Sequence, residues 1–153
     1  MYAIDVHIIT HGEPQWMLDR CLKSLEGQPV NIHLVEGFTE FPPEKGRALG
    51  LSKGSAPYIS WVDPDDWCEP DMYKRLLDLI ETTGAEIVYC WEYVYLDDKV
   101  VVNTKPHHGI VAKREISDLF VKSNRCVFDR RDTTEVIATP LYHHDRRQET
   151  RNV

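Results

Sequence analysis

The order of hydrophobic periods over the opening residues constrains this chain more than any other feature. Tyr2 to Thr10 (YAIDVHIIT) is rich in β-formers and ends on a buried-type Val-His-Ile-Ile run, the pattern of a strand. A His11-Gly12-Glu13 loop follows, and Pro14 suits a first helical position. Met17, Leu18, Cys21, Leu22 and Leu25 then recur at helical spacing, with Gly27 as a stop. Val30 to Glu36 (VNIHLVE) alternates as a second strand. Strand, helix and strand with a crossover of this length pair the two strands in parallel. The chain therefore opens as an α/β fold.

The following segments extend that reading. Glu44 to Ser52 has a short helical pattern carrying Ala48, Leu49 and Leu51, and Gly54-Ser55-Ala56-Pro57 turns into Tyr58 to Val62 (YISWV), a third strand. Pro70 opens a helix with Met72, Tyr73, Leu76, Leu77 and Ile80 on its apolar face, ended by Gly84. Glu86 to Leu96 is a long β run that places Tyr89, Trp91, Tyr93 and Tyr95 on one face. It turns at Asp97-Asp98 into Val100 to Val102 as a hairpin. A short helix is expected from Ala112 to Lys122 and a last strand at Val136-Ile137-Ala138. The chain reads as one domain over residues 1–144 with a polar tail from Asp145 to the end (DRRQETRNV). A length of 153 residues suits that, since such a chain buries roughly 70% of its unfolded surface.

Charge and composition narrow the function. Acidic residues outnumber basic ones, 25 to 18, for a formal charge of −7, which argues against a general nucleic-acid-binding surface. No apolar run approaches the ~20 residues that span a bilayer, and no basic segment followed by an apolar core opens the chain. Cys21, Cys68, Cys90 and Cys126 are widely spaced without a CxxC pair. They read as reduced thiols of a cytoplasmic protein, with no disulfide framework or zinc site.

The chemistry-bearing signal is Asp63-Pro64-Asp65-Asp66, which YISWV enters directly. Ligands of open α/β sheets bind beyond the C-terminal ends of the strands. Three acids in four residues repel one another, and Mg²⁺ or Mn²⁺ is the natural neutraliser, bridging carboxylates to phosphate oxygens. The competing reading is a solvated acidic turn at the start of the Pro70 helix, where the helix dipole favours negative charge.

In order along the chain, VHIIT, LDRCLKSL, NIHLVEG, KGRALGLSKGSAPYISWVDPDDWCEP and AEIVYCWEYVYLDD resemble the family 2 glycosyltransferases of the GT-A fold. The resemblance covers about residues 4–98, and its most specific part is Gly-x-x-x-Tyr-Ile-x-x-x-Asp-x-Asp-Asp. It implies a GT-A-like, mixed and mostly parallel sheet with flanking helices. It also implies transfer of a sugar from a nucleotide-diphosphate donor, a UDP-sugar first, to an acceptor hydroxyl with inversion, dependent on Mn²⁺ or Mg²⁺. The acceptor class, whether glycan, protein, lipid or modified nucleic acid, stays open.

Carried onto this sequence, the resemblance gives Asp63 the donor ribose or the metal shell, Asp65 the metal, and Asp66 its support. Arg47, three residues before Gly50, falls where the family holds nucleotide or phosphate, and its alternative is a surface helix arginine. Thr10, His11 and Glu36 fall in the base- and ribose-binding loops, although His11-Gly12 replaces the family's Tyr-Asn and Glu36-Gly37 its Asp-Asp. Trp67 is a candidate for lining the donor pocket. Thr139-Pro140-Leu141-Tyr142-His143-His144 resembles the closing Pro-Leu-Tyr strand, after which His144, with His143 as the alternative, is a metal ligand. Asp132, with Asp129 behind it, is the candidate base that takes the acceptor proton. The alternative for both is a loop acid paired with Arg130 or Arg131. The pair His107-His108 precedes Gly109 in a loop, and no role is assigned to it.

Only 11 positions separate Asp132 from His143, too few for the family's usual helix and strand. The acceptor-binding half is abbreviated, and a homo-oligomer or another partner is expected to complete it. Two other functions compete. One is a non-catalytic nucleotide-sugar-binding module of the same fold. The other is a metal-dependent phosphoryl-transfer or hydrolytic enzyme, which the absence of a Walker-type loop disfavours.

Overall fold

The computed structural model describes residues 1–36, 48–116 and 134–147. Its first strand, β1 (Ile4–Ile9), is buried at every residue but the last, which puts it inside a sheet covered on both faces. It pairs in parallel with β2 (Val30–Val35) on one side and β3 (Tyr58–Trp61) on the other. Between β1 and β2 runs α1 (Gln15–Leu25), whose Cys21 and Leu25 share one apolar cluster with Ile4, Val6 and Ile8. The expected strand, helix, strand opening is present.

Six further elements follow: β4 (Trp67–Cys68), α2 (Met72–Thr83), β5 (Ile87–Tyr95), β6 (Val100–Asn103), β7 (Ile110–Lys113) and β8 (Thr134–Asp145). The helix α2 adds Met72, Tyr73, Leu76 and Ile80 to the same cluster, so both helices cover one face of the sheet. A smaller cluster of Ile59, Ile87, Ile110 and Ala112 forms elsewhere, with Leu51 and Trp61 packed on it. Strand order is β2-β1-β3-β7-β5-β8-β4, and β6 pairs with β5 off this path.

The sheet is mixed with flanking helices, as expected, and its longest ladders are parallel. Among the described residues three ladders are parallel (β1–β2, β1–β3 and β5–β8), and four, mostly shorter, are antiparallel (β3–β7, β5–β7, β5–β6 and β4–β8). The mixing centres on β7, which enters between β3 and β5 antiparallel to both. It also corrects the start of the helix expected over Ala112 to Lys122, of which residues 117–122 lie outside the described residues. Ile110, Val111 and Ala112 are all buried, and a short apolar run covered on both faces is strand, not a one-sided helix. A 3₁₀ turn, Arg114–Ile116, follows. The expected helix at 44–52 is present where it is described, over residues 48–51.

Two more differences lie around β8. It extends well beyond Val136-Ile137-Ala138, and its register against β5 shifts on either side of Trp91, where Pro140 has no N–H to give the ladder. Asp145 belongs to this strand and not to a frayed tail. It is 1% exposed, because two arginines and the backbone described below hold it.

Candidate active site

The three parallel strands β1, β2 and β3 end at a common edge. Thr10 lies there, its N–H donating to the Val35 carbonyl (2.9 Å). His11, exposed, donates its N–H to Glu13 (2.8 Å), and Glu36 is exposed just past β2. The acidic turn leaves the same edge. Asp66 N–H closes it onto the Asp63 carbonyl (3.0 Å), with Pro64 at the second turn position, where its fixed φ fits.

The turn separates its acids by environment. The Asp63 side chain is 50% exposed, whereas Asp66 is at 0%. A carboxylate so buried needs hydrogen-bond partners for its oxygens. Tyr142 Oη donates to Asp66 Oδ2 (2.7 Å), His144 Nδ1 lies 3.1 Å from the same oxygen, and the Asp145 N–H donates to Oδ1 (2.9 Å). Tyr142 Oη also accepts the Asp63 N–H (3.2 Å). The last residues of β8 thus grip both ends of the turn.

A second arm reaches the turn from β5. Glu92, 2% exposed, meets His108 Nδ1 (3.0 Å) and accepts from Asn103 Nδ2 (3.0 Å). His108 Nε2 lies 3.1 Å from Asp63 Oδ2, and its ring stacks on Tyr142 (5.1 Å) and His144 (4.4 Å). Burial, the largest single influence, disfavours charge on His108, but hydrogen bonds and charges from Asp63, Glu92 and Asp66 together outweigh it. They hold the imidazolium well above its ordinary range. Burial likewise works to raise Glu92, and His108 and Asn103 reverse this, leaving it below the usual carboxylate range.

Two overlapping donor groups result. Oxygens of Asp63, Asp65 and Asp66 lie within 4.8 Å of one another, as do ligand atoms of Asp66, His108 and His144. Carboxylates with the His144 imidazole fit a divalent cation, Mn²⁺ better served by nitrogen than Mg²⁺, whereas His108, held as imidazolium between Glu92 and Asp63, has no lone pair to give.

Strand alternation separates the two terminal histidines. His144 faces Asp66, whereas His143 pairs Nδ1 with Tyr95 Oη (2.8 Å) and Nε2 with Glu69 (3.1 Å). His143 is therefore not brought to the acidic group, because both of its ring nitrogens are engaged on the opposite face. Trp67 goes with it, stacked on His143 (5.0 Å) and packed against Tyr95 (5.0 Å). Arg47, Asp129 and Asp132 lie outside the described residues.

Sequence reasoning missed His108, Glu92 and Tyr142. One signal was available: with Tyr89, Trp91, Tyr93 and Tyr95 on one face of β5, Glu92 falls among Val88, Cys90 and Val94, all buried. An acid on a buried strand face needs a partner.

The family model described as glycosyl transferase family 2 matches residues 39–140. No curated protein matches the sequence. Among solved structures, S. aureus TarS 1–349 in complex with UDP-GlcNAc superposes with a TM-score of 0.72 at 11% identity, over 97% of this chain and 59% of that one. TarS 1–349 alone gives 0.68 at 12% identity, over 95% and 60%. Its complex with UDP gives 0.66 at 12% identity, over 98% and 62%. The chain thus spans about three fifths of those structures, and at such identities the likeness is one of fold.

Proposed function

This chain belongs to glycosyl transferase family 2, and from that premise we propose that it moves a sugar from a nucleotide-diphosphate donor to an acceptor hydroxyl, with inversion. A UDP-sugar is the first choice of donor, supported by the UDP-GlcNAc and UDP complexes of TarS. The observation that carries the reading is the convergence of the Asp63, Asp65 and Asp66 carboxylates within 4.8 Å, where the parallel strands end.

Asp63, Asp65, Asp66 and His144 are the residues that would hold Mn²⁺ or Mg²⁺, which supplies charge neutralisation for a leaving diphosphate. The chain's own part is preorganisation. Tyr142 and the Asp145 N–H orient Asp66, and Glu92 steadies His108 against Asp63, so the turn needs little rearrangement when a diphosphate arrives. Thr10, His11 and Glu36 at the neighbouring strand ends are assigned to the nucleoside, with Arg47 for phosphate. Asp132, seconded by Asp129, is assigned to take the acceptor proton. The acceptor is a hydroxyl of a glycan, protein, lipid or modified nucleic acid, and a second copy or another partner completes its site. No helix among the described residues is long and apolar enough to cross a membrane. A cytoplasmic location is part of the proposal, in keeping with the free, buried thiols of Cys21, Cys68 and Cys90.

Calorimetric titration of UDP with and without Mn²⁺, repeated on Asp65→Ala, tests this. UDP is expected to bind wild type only weakly without the ion, and the variant at least about tenfold more weakly with it, the loss of one charged contact. Equal affinity in all arms would remove the diphosphate role. Binding without release of UDP from UDP-sugars would leave a donor-binding module in place of an enzyme.

A further inference from the structure

We propose that Arg20 is the positioning residue of the acidic turn: from α1, a single guanidinium fastens the turn's backbone to the end of β8. The inference rests on the donor-site reading above and deepens it, since Arg20 is assigned contact with neither donor nor ion.

Arg20 Nη2 donates to the Asp65 carbonyl oxygen (2.8 Å) and to Asp145 Oδ2 (3.2 Å). These two acceptors are distant in sequence and adjacent in the site. Asp145 passes the restraint on, because its N–H donates to Asp66 Oδ1 (2.9 Å). Backbone at Asp65 and side chain at Asp66 are therefore held by one cation. The guanidinium is in turn fixed by aromatic rings, its carbon 3.9 Å from the Trp67 centroid and 5.2 Å from that of Trp16. A planar, delocalised cation can stack on a ring while donating in its own plane, and a lysine ammonium cannot.

The remaining chemistry of Arg20 points the same way. Its Nε is buried without a hydrogen-bond partner, so the side chain is not placed to maximise its own hydrogen bonding. Arg147 is the natural comparison. It binds the same Asp145 carboxylate through Nε and Nη2 (both 3.0 Å) and lies over Tyr95. Charge compensation of Asp145 is thus shared between two arginines, whereas the bond to the Asp65 carbonyl comes from Arg20. That difference separates positioning from mere ion pairing.

The test compares Arg20→Met, Arg20→Lys and Arg147→Met by two independent readouts. Hydrogen–deuterium exchange is followed over the peptide containing residues 63–66, with α2 as internal reference, and UDP affinity is titrated in the presence of Mn²⁺. Arg20→Met is expected to speed exchange in the turn by roughly tenfold while leaving α2 protected. It is also expected to weaken UDP binding by about tenfold, and Arg20→Lys restores neither because the stacked fork is lost. Arg147→Met is expected to lower the melting temperature and leave turn exchange and UDP affinity near wild type. Unchanged turn exchange in both Arg20 variants overturns the proposal, as does equal loss in Arg147→Met. Faster exchange with unaltered UDP affinity overturns its link to binding. If wild type itself binds no UDP with Mn²⁺, the donor reading fails, and the exchange data alone decide the positioning role.

Discussion

Asp5 and Asp66 show how one residue type serves two purposes in the same molecule. Both carboxylates are buried and fully engaged, but Asp66 sits where parallel strands end, whereas Asp5 lies within β1. Asp5 accepts from Asn31 Nδ2 (3.1 Å), the Ala56 N–H (2.9 Å) and Arg114, and it meets His33 Nε2 (2.9 Å). Arg114 spends its other donors on the Ala56 and Leu51 carbonyls, so this arrangement clamps the sheet to the segment crossing it. Burial is the largest influence on Asp5 and raises its pKa, but His33, Ala56 and Asn31 together reverse it and leave Asp5 below its ordinary value of 3.8. A depressed acid stabilises the fold above its unfolded pKa, and that contribution is lost as pH falls through the folded value. Asp5→Asn is therefore expected to cost about 3 kcal/mol at neutral pH. That is the low end for a broken buried pair, since Arg114 is 26% exposed. The cost should shrink below about pH 4 as the wild-type carboxyl protonates. Urea unfolding of both proteins from pH 7 to pH 3 checks the sign, and parallel stability curves would refute it.

At the scale of elements, the segment from the helical turn at 48–51 to β3 decides how closely the chain lies on its sheet. Gly54 has φ +83°, and a Cβ there would stand 2.3 Å from Asp5 Oδ2 and 2.7 Å from His33 Nε2. Gly27 has a similar φ of +76° but nothing within 4 Å of the corresponding position. Both alanine variants carry left-handed strain, about 1–2 kcal/mol, and only Gly54→Ala adds a clash against the Asp5 clamp, a further cost of about 1–3 kcal/mol. Thermal unfolding of the two variants should separate them in that order, and equal losses would mean the clamp yields freely. The elements differ in legibility for related reasons. β1, α1, β2, α2 and the β5–β6 hairpin each carry enough residues for a period to show, and each is present where the sequence puts it. The strand β4 is only Trp67–Cys68, and β7 is four residues with three buried, too short for alternation to emerge, so the expected helix was started at Ala112, inside β7. His108 was illegible for a different reason. Its partners Glu92 and Asp63 lie 16 and 45 positions away, and only the placement of β7 beside β5 brings them together.

Across the whole molecule, the candidate site is a meeting point of distant chain segments. Asp63 to Asp66 follow β3, Glu92 comes from β5, His108 precedes β7, Tyr142 and His144 close β8, and Arg20 reaches in from α1. A site assembled from contacts so far apart in sequence exists only when the sheet is complete, so a ligand that binds it binds the folded state alone. Linkage then makes binding visible as stability. At a UDP concentration one hundred times the dissociation constant, with Mn²⁺ saturating, the folded state gains about 2.7 kcal/mol. For a chain of this size that corresponds to a rise of roughly 5–10 °C in melting temperature. UDP without the ion should give a much smaller rise, because the diphosphate would then face three carboxylates that His108 alone does not neutralise. Chelation should return the melting temperature to its value with UDP alone, and Asp65→Ala, at least about tenfold weaker, should show at most about half the wild-type rise at the same UDP concentration. The comparison is a thermal unfolding series with UDP, Mn²⁺, both, and both followed by chelator. An equal rise with UDP whether or not Mn²⁺ is present would place the nucleotide away from the acidic turn, and the full rise retained in Asp65→Ala would do the same.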